Sequence, residues 1–135
     1  MNNGAYTSWI EISKPAYKKN IEFFRSRIIN GAEISVVIKA NGYGHGMLET
    51  AHIAQECGIE IFCVHSLEEA LILRKAGFHT RIIILGPVMR ETIPAVVEND
   101  LEPVCYLIEN LRLFEKHASI KDKSVNIHLK IETGT

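Results

Sequence analysis

The sequence has no apolar run long enough to span a bilayer and no basic segment leading into an apolar stretch near its start, so neither a membrane span nor a secretory leader is expected. It also lacks an excess of charge of either sign. Fifteen Lys and Arg stand against sixteen Asp and Glu with no run of like charge, which argues against a polyanionic partner such as nucleic acid. Cysteine is scarce: Cys57, Cys63 and Cys105 are odd in number, lie mostly in apolar surroundings and lack C-x-x-C spacing, so they read as reduced core residues. The six histidines form no pair at metal spacing on one predicted face with a carboxylate or thiol, and no metal site is expected. The expected setting is the cytoplasm.

What is present is an alternation. Short apolar runs at Glu33 to Ile38, Glu60 to Val64, Arg81 to Leu85, Glu102 to Tyr106 and Ser124 to Ile131 are separated by longer segments with apolar residues at helical steps. Ser13 is placed to cap a helix carrying Tyr17, Ile21, Phe24 and Ile28 that ends near Asn30-Gly31. Ser66 with Glu69 reads as a capping box opening a helix that stops at Gly77, and acidic Glu68 and Glu69 favour the dipole of its first turn. Met47 to Cys57, Arg90 to Asn99 and Ile108 to His117 supply the other helices.

Strands apolar on both faces and separated by single helices predict a parallel sheet. An open doubly wound sheet and a closed eight-stranded barrel both satisfy this pattern. Four strand and helix units plus a fifth strand make roughly half of a barrel of about 250 residues. The chain stops directly after that strand, so it is expected to be a piece of a longer fold. Trp9-Ile10-Glu11-Ile12 alternates apolar with polar residues and predicts a strand of a separate sheet with one wet face.

Chemistry in such folds gathers where strands end. Lys39, His65, Leu85-Gly86-Pro87, Tyr106 and Lys130 fall at those positions. Desolvation favours the neutral form of an amine, and the neutral amine is the form that condenses with an aldehyde. A lysine that merely ends a strand and snorkels to water is the plainer alternative for Lys39. After it, Gly42, Gly44 and Gly46 alternate just ahead of a helix. Such a loop can bring backbone amides to an anion or can simply be a tight turn, and the residues by themselves leave both readings open. His45 and His65 read as structural.

Val37-Ile38-Lys39-Ala40-Asn41-Gly42-Tyr43-Gly44-His45-Gly46 resembles the signature V-V-K-A-N/D-A-Y-G-H-G of alanine racemases, in which the lysine holds pyridoxal 5′-phosphate (PLP) as a Schiff base. Trp9 to Asn20 resembles the start of that family, and Ser66-Leu67-Glu68-Glu69-Ala70 through Gly77 resembles its A-x-x-E-A-x-x-L-R-x-A-G segment. Ile84-Leu85-Gly86 and Lys130-Ile131-Glu132-Thr133-Gly134-Thr135 resemble a strand end near the cofactor and the motif K-x-D-T-G-M-x-R. The departures are Gly42 for alanine, which is expected to loosen the loop, Glu132 for aspartate and Thr135 for methionine.

The resemblance implies an α/β fold: residues 13–135 as the first part of a PLP-binding (β/α)8 TIM-type barrel, truncated after about the fifth barrel strand, and residues 1–12 as a strand for the sheet of a C-terminal domain. It assigns Lys39 as Schiff-base lysine and one of two catalytic bases, Tyr43 as a contact to the cofactor phosphate and Leu85 as an apolar contact to its ring. Lys130 matches a lysine that is often carbamylated and supports an arginine lying beyond the last residue here. The implied activity is interconversion of L- and D-alanine for peptidoglycan precursors, by a homodimer whose second base lies outside this sequence, so that the isolated chain is expected to be inactive. A racemase for serine or lysine is the near alternative. PLP-barrel decarboxylases resemble the segment only as far as Lys-Ala-Asn. An inactive anion-binding or assembly fragment is the alternative outside enzymes.

Overall fold

The computed structural model describes residues 7–134. Five parallel strands form one sheet in the order β1-β2-β3-β4-β5: β1 (Ser35–Val37), β2 (Ile61–Val64), β3 (Arg81–Ile84), β4 (Glu102–Cys105) and β5 (His128–Leu129). Helix α1 (Lys14–Arg25) precedes β1, which leads into the single turn α2 (Lys39–Tyr43) and the helix α3 (Met47–Glu56). The later crossovers are α4 (Leu67–Lys75), α5 (Ile93–Glu98) and α6 (Ile108–Ile120). Strand order equal to chain order decides between the two architectures left open by the pattern, because a doubly wound sheet reverses its order at a switch point. The architecture is that of a partial (β/α)8 barrel.

One sheet face carries Ile38, Phe62, Val64, Ile82 and Ile84, all fully buried, in one core with Ala51 and Ala54 of α3, Ala70 and Leu73 of α4, Val96 and Val97 of α5 and Phe114 of α6. Each large aliphatic or aromatic side chain buried there contributes about 1.5–3 kcal/mol. The small alanines let the helices lie close to the strands.

The element ends differ from the sequence pattern in physical ways. Helix α1 keeps its expected cap, with Ser13 Oγ accepting the Ala16 N–H, but stops at Arg25. Its end tightens through bonds from Arg27 N to Phe24 O and Ile28 N to Arg25 O, and the left-handed Asn30 and Gly31 form a separate turn beyond. Strand β5 is two residues long where Ser124 to Ile131 was expected, since among the described residues it pairs with β4 alone. Trp9 to Ile12 makes no strand with any described residue, and Trp9 and Ile10 are exposed. Residues 1–6 of the expected N-terminal strand, and Thr135 of the last motif, lie outside the described residues. No helix among the described residues is long and apolar enough to cross a membrane.

Candidate active site

Lys39 leaves the sheet at a sharp change of backbone. Ile38 still donates to Cys63 O at 2.9 Å, as a strand residue would, but its ψ of 15° has already left the extended region. The four residues after Lys39 turn left-handed, with φ of 52° at Ala40, 54° at Asn41, 62° at Gly42 and 53° at Tyr43. Three of these carry a Cβ, and each such residue costs about 1–2 kcal/mol in this conformation. Strain of that size persists only where the surroundings hold it, and it collects at functional sites.

The restraints are specific. Gly42 N donates to Ile38 O at 2.9 Å, Gly44 N to Asn41 O at 3.1 Å, and Gly46 N to the same carbonyl at 2.9 Å. Asn41 Oδ1 accepts the Met47 N–H at 3.0 Å, capping α3 from within the loop, and Thr50 Oγ1 donates to Gly46 O at 2.7 Å. His45 N donates to Gly42 O, and His45 Nδ1 lies 2.8 Å from the same oxygen, the structural role expected for this histidine. The amides of Gly42, Gly44, His45, Gly46 and Met47 therefore all donate inside the loop. The three glycines make a tight turn and not an anion cradle. Gly42 is buried, and both its N–H and its carbonyl are bonded within the loop.

A carboxylate completes the restraint. Glu69, in the first turn of α4, accepts the Ala40 N–H with Oε1 and the His65 N–H with Oε2, each at 2.7 Å. Ser66 Oγ does accept the Glu69 N–H at 3.4 Å, as a capping box requires, but the returning arm of the box goes to the two strand ends.

Register aligns the rim. Val37 pairs with Cys63 and Cys63 with Ile83, so two residues further on Lys39, His65 and Leu85 occupy one row at the carboxyl edge. Lys39 and Leu85 are two strands apart, about 10 Å at the usual spacing. Tyr43 is exposed and lines a shallow cleft of about 250 Å³ with Val37, Tyr17 and Thr50. Lys130 is exposed just past β5, with its N–H on Cys105 O at 2.8 Å, two strands beyond Leu85 and next to Tyr106. The rim thus sets Lys39 and Leu85 two strands apart in one row, with Tyr43 at the end of the turn α2 that Lys39 opens, and leaves Lys130 on the far strand.

A family model described as alanine racemase, N-terminal domain, matches residues 12–135. The chain belongs to the alanine racemase N-terminal domain family. Among relatives of this racemase-family chain, the alanine racemase of Lactobacillus gasseri is 38% identical over 125 residues, covering 93% of this chain and 33% of that protein. A crystal structure of alanine racemase from E. faecalis superposes with a TM-score of 0.84 at 34% identity over 92% of this chain and 34% of that one. A histidine racemase from Leuconostoc mesenteroides gives 0.82 at 24% identity, over 93% of this chain and 34% of that one, a likeness of fold alone. The chain spans about a third of the length of the curated relatives it matches.

Family membership implies PLP, and the rim fits one end of such a group. An amine at Lys39 on a braced turn, an apolar side chain at Leu85 in the same row and a phenol at Tyr43 are the three kinds of partner a phosphorylated aromatic aldehyde needs. Sequence reasoning placed Glu69 in a capping box and missed its bond to Ala40, 29 positions away. It also missed a polar network on the second sheet face. Glu102, 5% exposed, accepts Arg81 Nε at 2.8 Å and Arg81 Nη2 at 3.0 Å, and lies 2.9 Å from His128 Nε2. Those bonds to Arg81, with His128 adding to them, hold the Glu102 carboxyl below the usual carboxylate range despite its burial. Burial pushes the Cys63 thiol up, against the Ser35 hydroxyl bond that lowers it, and burial likewise raises Cys105, so both remain thiols and not nucleophiles.

Proposed function

We propose that this chain is the Schiff-base half of the active site of an alanine racemase. The observation that supports it is Lys39 standing at the carboxyl edge of β1 on a strained left-handed turn, inside a segment that matches the family's lysine signature. When bound, PLP supplies an electron sink that makes the α-proton of an amino acid removable near neutral pH. Lys39 holds that group and, once its amine is free, takes or returns the α-proton on one face of the substrate. The Tyr43 hydroxyl donates to the phosphate, and Leu85 gives one side of the ring an apolar neighbour that keeps water away. Lys130 takes the supporting, carbamylated role of its counterpart.

The substrate in this proposal is alanine, interconverted between its L and D forms for peptidoglycan precursors, in a cytoplasmic homodimer. The choice of alanine leans on sequence identity and not on fold, since a histidine racemase shares the fold. The base for the opposite face is assigned to residues outside this chain, and residues 1–12 to the sheet of a further domain.

The test is to incubate the chain with PLP, reduce with borohydride and map the pyridoxyl group by peptide mass spectrometry. A single adduct on Lys39 is expected. Adducts scattered over other lysines, with none on Lys39, would overturn the reading. In the protein that carries this chain, Lys39→Ala should abolish the lysine-linked chromophore and nearly all alanine racemisation.

A further inference from the structure

Glu69 makes no hydrogen bond to the Lys39 side chain among the described residues, yet its carboxylate joins the backbone just after β1 to the first residue after β2. Its Oε1 takes the N–H of Ala40, the peptide bonded directly to Lys39, and its Oε2 takes the N–H of His65, the first residue after β2. Orientation of that peptide fixes the rotation about the Lys39 Cα–C bond, and through it the direction in which the lysine side chain leaves the backbone. We infer that Glu69 is a positioning residue, which sets the direction of the Lys39 amine by clamping the Ala40 peptide to the end of β2.

Three features of the geometry support a clamp over a simple helix cap. Ala40 opens a left-handed run that its own sequence does not favour, since it has a Cβ, so the turn needs an outside partner at its first amide. The second oxygen goes to His65, whose ring and carbonyl lie against Gly86, so the clamp reaches the third strand end as well. Both partners are donors, and each is taken by a different oxygen of the one carboxylate, so both oxygens must accept. A carboxylate offers these, whereas the amide of glutamine offers one acceptor and a donor that would face an N–H. The isosteric change Glu69→Gln must therefore give up one bond without altering size.

This inference rests on the proposed attachment of PLP to Lys39, and the experiment separates the two. The chain, its Glu69→Gln variant and its Glu68→Gln variant would be labelled with limiting PLP and borohydride, and amide hydrogen exchange would be followed at Ala40 and His65. Glu68 shares the first turn of α4, while the bonds to Ala40 and His65 both come from Glu69, so its variant removes the same charge from the same helix end without touching the clamp. Glu69→Gln should lower the yield of the Lys39 adduct at least tenfold and speed exchange at Ala40 at least tenfold, while Glu68→Gln stays within twofold of the parent on both. Rescue of labelling to within a few fold by Glu69→Asp, which keeps two acceptors, would mark the effect as positional. Unchanged labelling of Lys39 in Glu69→Gln, or an equal loss in Glu68→Gln, would overturn the inference. If the parent itself takes no adduct on Lys39, the PLP reading fails. The clamp then stands or falls on exchange at Ala40, supported by a tenfold rise and refuted by none.

Discussion

Gly86 shows how closely a single residue can be specified without special backbone angles. A Cβ built there would lie 2.4 Å from His65 O and 2.8 Å from His65 Cε1, and the carbonyl is backbone that cannot swing aside. Gly86→Ala is expected to destabilise the fold by about 1–3 kcal/mol, read from urea unfolding, because the two strand ends must separate. Gly42 is constrained differently: at φ +62° a Cβ would meet Thr50 Oγ1 at 3.1 Å, and that hydroxyl is held by its bond to Gly46 O. Gly42→Ala should cost about 1–2 kcal/mol. Combining it with Thr50→Ala should cost less than the sum of the two single changes, since the contact they share is removed once. Additive costs in that double-mutant cycle would show that the hydroxyl is not what limits position 42. At this scale the sequence told much about Lys39, whose signature is contiguous, and little about Glu69. The spacing of Ser66 and Glu69 is that of a local cap, and nothing local reveals that the carboxylate reaches across to Ala40 instead.

Among the elements, α4 owes its fixed place at the amino edge of the sheet to Arg74. Its guanidinium donates to four carbonyls, those of Phe78 and Thr80 at 2.8 Å and of Asn99 and Asp100 at 3.0 Å, joining the end of α4 to the turn between α5 and β4. Burial lowers the Arg74 pKa from its ordinary value, with Asp100 opposing. Lysine has three donors on one nitrogen and cannot span four carbonyls set around a planar fork. Arg74→Lys should therefore destabilise by about 1–3 kcal/mol in denaturant unfolding, with Lys39 labelling by PLP unchanged because the clamp lies at the opposite edge. A variant as stable as the parent would show the fork to be dispensable. The strands β1 to β4 and all the crossover helices were legible from alternation of period because each buries a face in the common core. The end of α1 and the length of β5 were not. Apolar spacing continues to Ile28 in the first, but hydrogen bonds had already tightened; in the second, the β-rich pattern extends from Ser124 to Ile131 while, among the described residues, pairing with β4 covers only His128 and Leu129.

Over the whole sheet, the face opposite the helices is not uniformly apolar, and this gives the molecule a dependence on acid. Arg81 of β3, Glu102 of β4 and His128 of β5 connect three neighbouring strands through one nearly buried carboxylate, and Arg81 Nη1 extends the network to Glu33 ahead of β1 at 3.4 Å. None of these pairings was visible in sequence, since the partners lie 21 to 48 positions apart and charged residues within apolar runs look like interruptions. The groups facing Glu102 are Arg81, His128 and the thiol of Cys63, and the net effect is a carboxyl held below its ordinary range, by the Arg81 bonds first. A carboxyl with a folded value below its unfolded one binds fewer protons when folded. Its stabilisation is fully present above the unfolded value, about 4.3, and drains away as pH falls through the lower folded value. Urea midpoints measured from pH 7 downward should hold until about pH 5 and then fall more steeply for the parent than for Glu102→Gln, which starts less stable because it leaves Arg81 with a weaker acceptor. Parallel curves for the two proteins would mean that other carboxylates govern acid unfolding and that Glu102 is not the group tying β3, β4 and β5 together.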